Sequence, residues 1–307
     1  MNIALCHYRV GETDGVSLEM EKWRKVLEDM GHNVYFLAGS SGTSKSYIIP
    51  ELHYKSEENN KFVKNAYEKL EDYKNEEEFE KDILSYAARI ERGLEKFIKD
   101  YDIDVLVPNN IWSLGWGIPA AIAFDNVIKK LGIKCVAHHH DFSWEREKYS
   151  KPTCDFVKEV LNTYFPPKHD LIKHVVINKL AQEQMKIRKG LDTTVVPNVF
   201  DFDAPVWDKD DYNKDFRDKI GLKENDIMIL QATRIAERKA IELAIDVVGE
   251  LVKEGNRKVL EEKLLYDGRN FDKNSRIVLV LAGLPESEGN YIELLIERAN
   301  KKNVELL

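Results

Sequence analysis

The stretch Ile229–Ile245, ILQATRIAERKAIELAI, decides the fold. Its start belongs to an apolar run, Ile227–Ala232, with the length and branched side chains of a buried strand. A polar loop carrying Arg234, Glu237, Arg238 and Lys239 follows. From about Ala240 to Glu254 apolar residues return at helical spacing. Strand, loop and helix make half of a βαβ unit, and such units build parallel sheets that bind ligands beyond the carboxyl ends of their strands. Arg234 and Lys239 are therefore expected at a strand's carboxyl end, beside a helix N-terminus whose free N–H groups and dipole favour anions. Arginine grips a phosphate through two donors and lysine acts as a point charge, so the pair suits a diphosphate. The alternative is a solvated loop whose cations pair with Glu237 and Glu242.

The same rhythm extends outward. Downstream, Ile277–Ala282 reads as a strand, Tyr291–Asn300 as a helix and Val304 as the start of a last strand, with a polar insertion over 255–275. Upstream, Asn2–His7 is a short strand, and Val16, Met20, Trp23, Leu27 and Met30 form one helical face before Gly31. Asn33–Ala38 is the next strand. Residues 57–101 are charge-dense and helical, with one face of Phe62, Tyr67, Leu70 and Tyr73 and a second of Ile83, Tyr86, Ile90, Leu94 and Phe97. Strands at Asp104–Val107, Ile133–Ala137, His174–Ile177 and Thr194–Val196 alternate with helices at Pro119–Leu131 and from Leu180 to Lys189. The acidic, polar segment 201–225 is the expected linker. The expectation is an α/β protein of two Rossmann-like, doubly wound domains, 1–200 and 226–307, facing across a cleft, the second incomplete at Leu307.

Bulk properties narrow the function. The chain has 307 residues, 43% hydrophobic and 33% charged, enough apolar material for two cores. A net charge of -8 disfavours a nucleic-acid partner, which needs a basic surface, but leaves room for small anionic ligands. Cys6, Cys135 and Cys154 form no disulfide framework and no C-x-x-C pattern, pointing to a reducing, cytoplasmic setting. Val105–Phe124 lacks charge over the length of a membrane span. Pro108, Asn109, Asn110, Gly115, Gly117 and Pro119 make it a strand, a loop and a helix start instead. No transmembrane segment is expected.

Three further motifs carry chemistry. Asp14-Gly15-Val16 opens the first helix, where glycine allows close backbone approach; an ordinary turn capped by Asp14 or Ser17 reads equally well. No G-x-G-x-x-G occurs, which disfavours a nicotinamide dehydrogenase. His138-His139-His140-Asp141 ends a strand, and because neighbouring strand residues face opposite ways, a three-histidine metal site is not expected. One of these histidines can instead donate to a sugar hydroxyl or stabilise developing charge. Asp201-Phe202-Asp203 resembles a metal-binding D-x-D but reads as turn chemistry.

These segments together resemble retaining glycosyltransferase family 4 (group 1), with the GT-B fold. The matching pieces, in family order, are DGVSLEMEKWRKVLEDMGHNV, HHHDF, HVVINKLAQEQMKIRKGLDTTVVPNVFD, ILQATRIAERKAIELAI and IVLVLAG followed by a helix with Tyr291. The resemblance implies that Arg234 and Lys239 hold the donor diphosphate, that the Gly15 backbone approaches a donor phosphate, and that His140 is the active-site histidine near the transferred sugar. Asn198 matches the hinge asparagine, although PNVFD lacks the usual glycine, and Ala240 stands where glycine is usual. Domain 1–200 would be the acceptor side, with Trp112, Asp141, Trp144, Arg146 and Lys148 as acceptor or sugar contacts, and domain 226–307 the donor side. The E-x7-E segment that contacts the donor ribose would lie beyond residue 307. The implied reaction moves a hexosyl group from a UDP- or GDP-hexose-like donor to a small-molecule or lipid-linked hydroxyl acceptor, with retention and with no metal or cofactor. Peripheral membrane contact is compatible with it. Two other readings stay open: a non-catalytic binding protein on a truncated scaffold, and another GT-B enzyme such as an epimerase or phosphorylase.

Overall fold

The computed structural model describes residues 1–198, 200–206, 208–285 and 290–307. Val199 of the PNVFD segment lies outside the described residues. The chain divides into two compact units, Met1–Asp201 and Phe202–Leu307.

In the first unit the described strands are β1 (Asn2–Cys6), β2 (Arg9–Val10), β3 (Asn33–Ala38), β4 (Ser40–Ser41), β5 (Tyr47–Ile48), β6 (Val105–Pro108), β7 (Lys134–His139), β8 (Ile172–Val176) and β9 (Thr193–Val195). Seven of them form a sheet in the order β5-β3-β1-β6-β7-β8-β9, with every neighbouring pair parallel. β2 and β4 form a separate short ladder. Strands such as NIALC and VLVP read as continuous apolar runs because helices cover both faces. The alternation along β1 shows it. Ile3 and Leu5 pack with Met20 and Trp23 of helix α1 (Gly15–Asp29), while Ala4 and Cys6 join the opposite core. That core is filled by α2 (Glu57–Tyr67), α3 (Glu76–Asp100), α4 (Ile118–Leu131) and α5 (Asp155–Tyr164). Helix α6 (Lys179–Lys189) packs Met185 against Phe142 and Val176.

Two expected faces need correction. Met30 lies just past the last turn of α1 and is exposed. Leu70 and Tyr73 are not helical, because Asn65 Oδ1 accepts the N–H groups of Glu71 and Asp72 and turns the chain after Tyr67. The uncharged Val105–Phe124 stretch is β6, a loop and the start of α4. Among the described residues no helix is long and apolar enough to cross a membrane.

The second unit begins with a helical turn, α7 (Phe216–Lys219), followed by β10 (Ile227–Gln231), α8 (Ile241–Leu251), α9 (Glu254–Glu261), β11 (Ile277–Leu281), α10 (Tyr291–Lys301) and β12 (Glu305–Leu306). Its described strands form a parallel sheet, β10-β11-β12. Ile277 and Leu279 face α8 and α10, whereas Val278 and Val280 face Leu222. The buried Leu222, N-terminal to β10, shows that the end of the expected linker is part of this core. The expected polar insertion contains α9 and the buried Phe271.

Candidate functional site

In the second unit, the loop after β10 runs beside the loop after β11, with the Ile235 N–H donating to the Leu284 carbonyl at 3.0 Å. A Cβ on Gly283 would lie 1.9 Å from the Thr233 carbonyl oxygen, so the approach requires glycine. One 3-10 turn, Glu237–Lys239, then leads into α8 through Ala240, which sits at φ +49° in the left-handed region. This carries Arg234 and Lys239, both exposed, to the carboxyl end of β10 just ahead of a helix N-terminus. The first N–H of α8 is already engaged, since Ile241 donates to the Tyr291 hydroxyl at 3.1 Å. Tyr291 donates in turn to Glu242 Oε2 at 2.5 Å, and this hydrogen bond holds the Glu242 carboxyl below its usual range. Glu242 is thereby held by Tyr291.

In the first unit, Asp14 caps α1. Its Oδ1 accepts the N–H groups of Val16 at 3.1 Å and Ser17 at 3.3 Å, and Arg9 Nε lies 3.2 Å from Oδ2. Two donors of this helix end are therefore engaged internally. Gly15 has no left-handed φ, and a Cβ built on it would meet nothing within 4 Å, so nothing in the chain itself requires glycine there.

The histidine run sorts by side, as strand alternation dictates. His138 and His140 have ring centroids 4.2 Å apart, with Asn109 Oδ1 at 3.0 Å from His138 Nδ1 and 3.3 Å from His140 Nε2. The Asn109 amide is oriented by its Nδ2 donating to the Val107 carbonyl at 3.0 Å. Its oxygen can only accept, so both rings present N–H groups to it. His140 is then left with Nδ1 as an acceptor lone pair. Burial, reinforced by the neighbouring His138 and His7 rings, pushes His140 down to about 2, so it is a neutral imidazole at ordinary pH. The expected role as donor or charge stabiliser is corrected accordingly: Asn109 takes the N–H, and what His140 can offer a sugar is an acceptor for a hydroxyl.

His139 points the other way. Ser113 Oγ lies 2.8 Å from its Nδ1, its Nε2 lies 3.0 Å from His174 Nδ1, and His174 Nε2 lies 3.0 Å from the Pro167 carbonyl. The terminal carbonyl fixes the direction of the whole chain, with donation running from Ser113 through both rings to Pro167. His7 donates Nδ1–H to the Asn109 carbonyl at 2.7 Å. Asn110, in the left-handed region at φ +56°, accepts the His140 N–H at 2.8 Å and donates to Asp141 Oδ1 at 2.9 Å. Asp141 Oδ2 pairs with Arg146 at 2.8 Å. Two consecutive asparagines after β6 thus hold the loop after β7. Spacing within the HHHD motif alone does not reveal Asn109, Asn110, Ser113, His7 or His174. The position of His7, Asn109, Asn110 and Ser113 in the loops beyond the carboxyl ends of β1 and β6 is the signal that could have found them, whereas His174, in the middle of β8, carries no such signal.

Beside His140 lies a depression of about 290 Å³, lined also by Phe142, Trp144, Asn178, Gln184 and Arg188. Trp144 is stacked on Phe142 at 4.3 Å with the planes 6° apart, and the Arg188 guanidinium lies 5.7 Å from the Trp144 ring centroid. Trp112 does not belong with this group. It is 1% exposed, and its indole N–H donates to the Ala121 carbonyl, so it is a core residue and not an acceptor contact. Lys148 is exposed and 3.8 Å from Glu68, and Asn198 is exposed beyond β9. Among the described residues no group of His, Cys, Asp or Glu is arranged to hold a metal ion.

Comparison with solved structures defines the class. The chain superposes on sucrose-phosphate synthase from Thermosynechococcus elongatus with a TM-score of 0.58 at 12% identity, covering 100% of this chain and 70% of that one. It superposes on WaaG, a glycosyltransferase involved in lipopolysaccharide biosynthesis, with a TM-score of 0.57 at 13% identity, covering 99% and 69%. The fold is that of the GT-B glycosyltransferases. At the sequence level the chain is 45% identical over 306 residues to mannosylglucosylglycerate synthase of Petrotoga mobilis, and 39% identical over 307 residues to that of Thermotoga maritima. Each match covers 100% of this chain and 69% of the relative. The chain belongs to the mannosylglucosylglycerate synthase family, nucleotide-sugar glycosyltransferases like the group 1 enzymes that its motifs resemble. No family model matches it.

Proposed function

We propose that this protein transfers a mannosyl group from a nucleoside-diphosphate sugar to a hydroxyl of a glycosylated glycerate, with retention of anomeric configuration. The observation that carries this reading is 45% identity along the whole chain to a mannosylglucosylglycerate synthase, an enzyme named for such a product. In the proposed reaction the acceptor oxygen replaces the diphosphate at the anomeric carbon. Arg234 and Lys239 bind that diphosphate and stabilise the charge that builds on it as it leaves. The Gly15 backbone lies against a donor phosphate. His140, neutral and oriented by Asn109, accepts a hydrogen bond from a hydroxyl of the sugar. Asp141, Arg146 and Asn198 support the sugar and acceptor side, and no metal or organic cofactor takes part.

The test is a transfer assay with glucosylglycerate as acceptor and a panel of UDP-, GDP- and ADP-hexoses, with the product's anomeric configuration read by proton NMR. Arg234→Ala and Lys239→Ala should each lower kcat/KM about a hundredfold, the scale of losing one charge-stabilising donor. A change within about threefold, under 1 kcal/mol, overturns the assignment. Gly15→Ala sharpens it. Since the new methyl meets nothing in the chain, the melting temperature should hold while the donor KM rises about tenfold, one pocket-contact's worth of free energy.

A further inference from the structure

We propose that the depression beside His140 is a carboxylate subsite and that Arg188 is its anion ligand, a specificity-determining residue for an acidic acceptor. Calling the occupant an acceptor rests on the transferase reading above; the binding of a carboxylate does not.

Trp144 invites the reading of a platform for a sugar ring. The geometry gives it another task. One face is stacked on Phe142, which is buried and whose N–H is held by Glu145 Oε2 at 2.9 Å. The Arg188 guanidinium lies within 6 Å of the ring, where the quadrupole attracts it. Trp144 is thus a floor for Arg188. The guanidinium is fixed a second time, since its Nε donates to Gln184 Oε1 at 2.8 Å. Among the described residues neither terminal nitrogen of Arg188 makes a hydrogen bond, and no carboxylate lies within salt-bridge distance of it.

The neighbouring Arg146 shows what decides between the two cations. Arg146 already holds Asp141 at 2.8 Å, whereas Arg188 has its paired terminal N–H groups available in a pre-oriented plane. A planar fork matches a carboxylate bidentately, and its orientation before binding reduces the entropy lost on binding. Asn178, Leu180 and Ala181, at the start of the eleven-residue helix α6, line the same depression and add the positive end of a helix dipole. The Glu145 carboxylate in the lining is turned to the Phe142 N–H. A volume of about 290 Å³ suits a glycerate unit with part of a sugar.

Isothermal titration calorimetry tests this without any transfer reaction, using glucosylglycerate and its neutral analogue glucosylglycerol as probes. The unmodified protein should bind the acid about tenfold more tightly, one bidentate contact at a solvent-facing site. Arg188→Gln should reduce that preference to twofold or less while leaving glucosylglycerol binding unchanged, and Arg188→Lys should fall between. Circular dichroism melts of the variants should match the parent, because Arg188 is exposed on its helix. Arg188→Gln keeping the tenfold preference overturns the proposal. So does a parent protein that binds neither probe or fails to distinguish them. Acid binding without sugar transfer would count against the transferase reading alone.

Discussion

The two units solve the problem of polar groups in opposite ways. All eight histidines of the chain lie in Met1–Asp201, and five of them fall into two hydrogen-bonded sets, His7, His138 and His140 around Asn109, and His139 and His174 between Ser113 and the Pro167 carbonyl. Their polar atoms are neutral, mostly buried and fixed in direction. Phe202–Leu307 has no histidine and relies on full charges, with Arg234 and Lys239, the cations proposed to hold the donor diphosphate, exposed. A directed neutral network sets geometry at the cost of tolerance to protonation. Exposed charges keep their charge over a wider pH range than buried neutral imidazoles do.

Acid should separate the units most strongly. Burial holds His7, His138 and His174 down to about 4 from an ordinary 6.5, and His139 well below its ordinary value. A base with a depressed folded value is neutral in the folded chain, while the unfolded chain takes up a proton below pH 6.5. The unfolded state therefore binds more protons between pH 6.5 and 4, and stability falls as pH falls through that window, by up to about 1.4 kcal/mol per unit for each histidine. Above pH 6.5 the contribution is fully present. Asp226 in the second unit runs on a different scale. Burial raises its carboxyl, but Arg276 and the N–H groups of Lys223 and Arg276 more than offset this and leave it below the ordinary 3.8. Its contribution is lost only as pH falls below that value. Hydrogen exchange at stepped pH should show residues 1–201 losing protection between pH 6 and 4, with 202–307 holding to below 4. Loss of both at one pH would break the comparison.

The next largest effect concerns the clamp that replaces the histidine network. Asp226 is 0% exposed and takes Arg276 Nη2 at 2.7 Å, the Arg276 N–H at 2.8 Å and the Lys223 N–H at 2.9 Å. Arg276 also reaches Glu305 on β12 at 2.7 Å, so one carboxylate ties the starts of β10 and β11 and, through Arg276, β12. Asp226→Ala leaves a guanidinium and two N–H groups without their partner, a loss of about 3 kcal/mol in the range for broken buried pairs. Denaturant melts followed by exchange in peptides from 202–307 should show it. Unchanged protection there would mean that the clamp is incidental.

The same contrast governs what could be read from the sequence. The strands were legible because parallel strands buried on both faces are uninterrupted apolar runs, as in NIALC, VLVP and IVLVL. Arg234 and Lys239 were legible because strand, loop and helix fix where a strand's carboxyl end falls. The histidine network was only half legible. Strand alternation correctly sends His138 and His140 one way and His139 the other, but the partners come from the loops after β1 and β6 and from the middle of β8, which only folding brings together. Trp112 was misread because aromatic residues look alike in sequence whether they face a ligand or a core. The packing of Trp144 emerged only in the fold, where Phe142 stacks on it and Arg188 lies near its ring.

The smallest effect bears on a left-handed turn residue of the charged unit, Ala240. Ala240 joins the Glu237–Lys239 turn to α8 at φ +49° and ψ +45°, giving its N–H to the Glu237 carbonyl and accepting from Leu243. An L-residue with a Cβ pays roughly 1–2 kcal/mol there that glycine does not. Glycine gives some of this back through the greater freedom of the unfolded chain. Ala240→Gly should therefore raise the stability of 202–307 by about 0.5–1 kcal/mol, read in denaturant midpoints, and Ala240→Val should lower it. Lys239 precedes this residue directly, so the same pair of variants also asks whether the turn is held by strain or by its contacts. If glycine stabilises the unit and leaves donor KM unchanged, the lysine is placed by the hydrogen bonds around the turn. If it stabilises the unit and raises donor KM, the left-handed alanine is itself what fixes the lysine, and the charged unit has a geometric constraint comparable to the histidine network of the first.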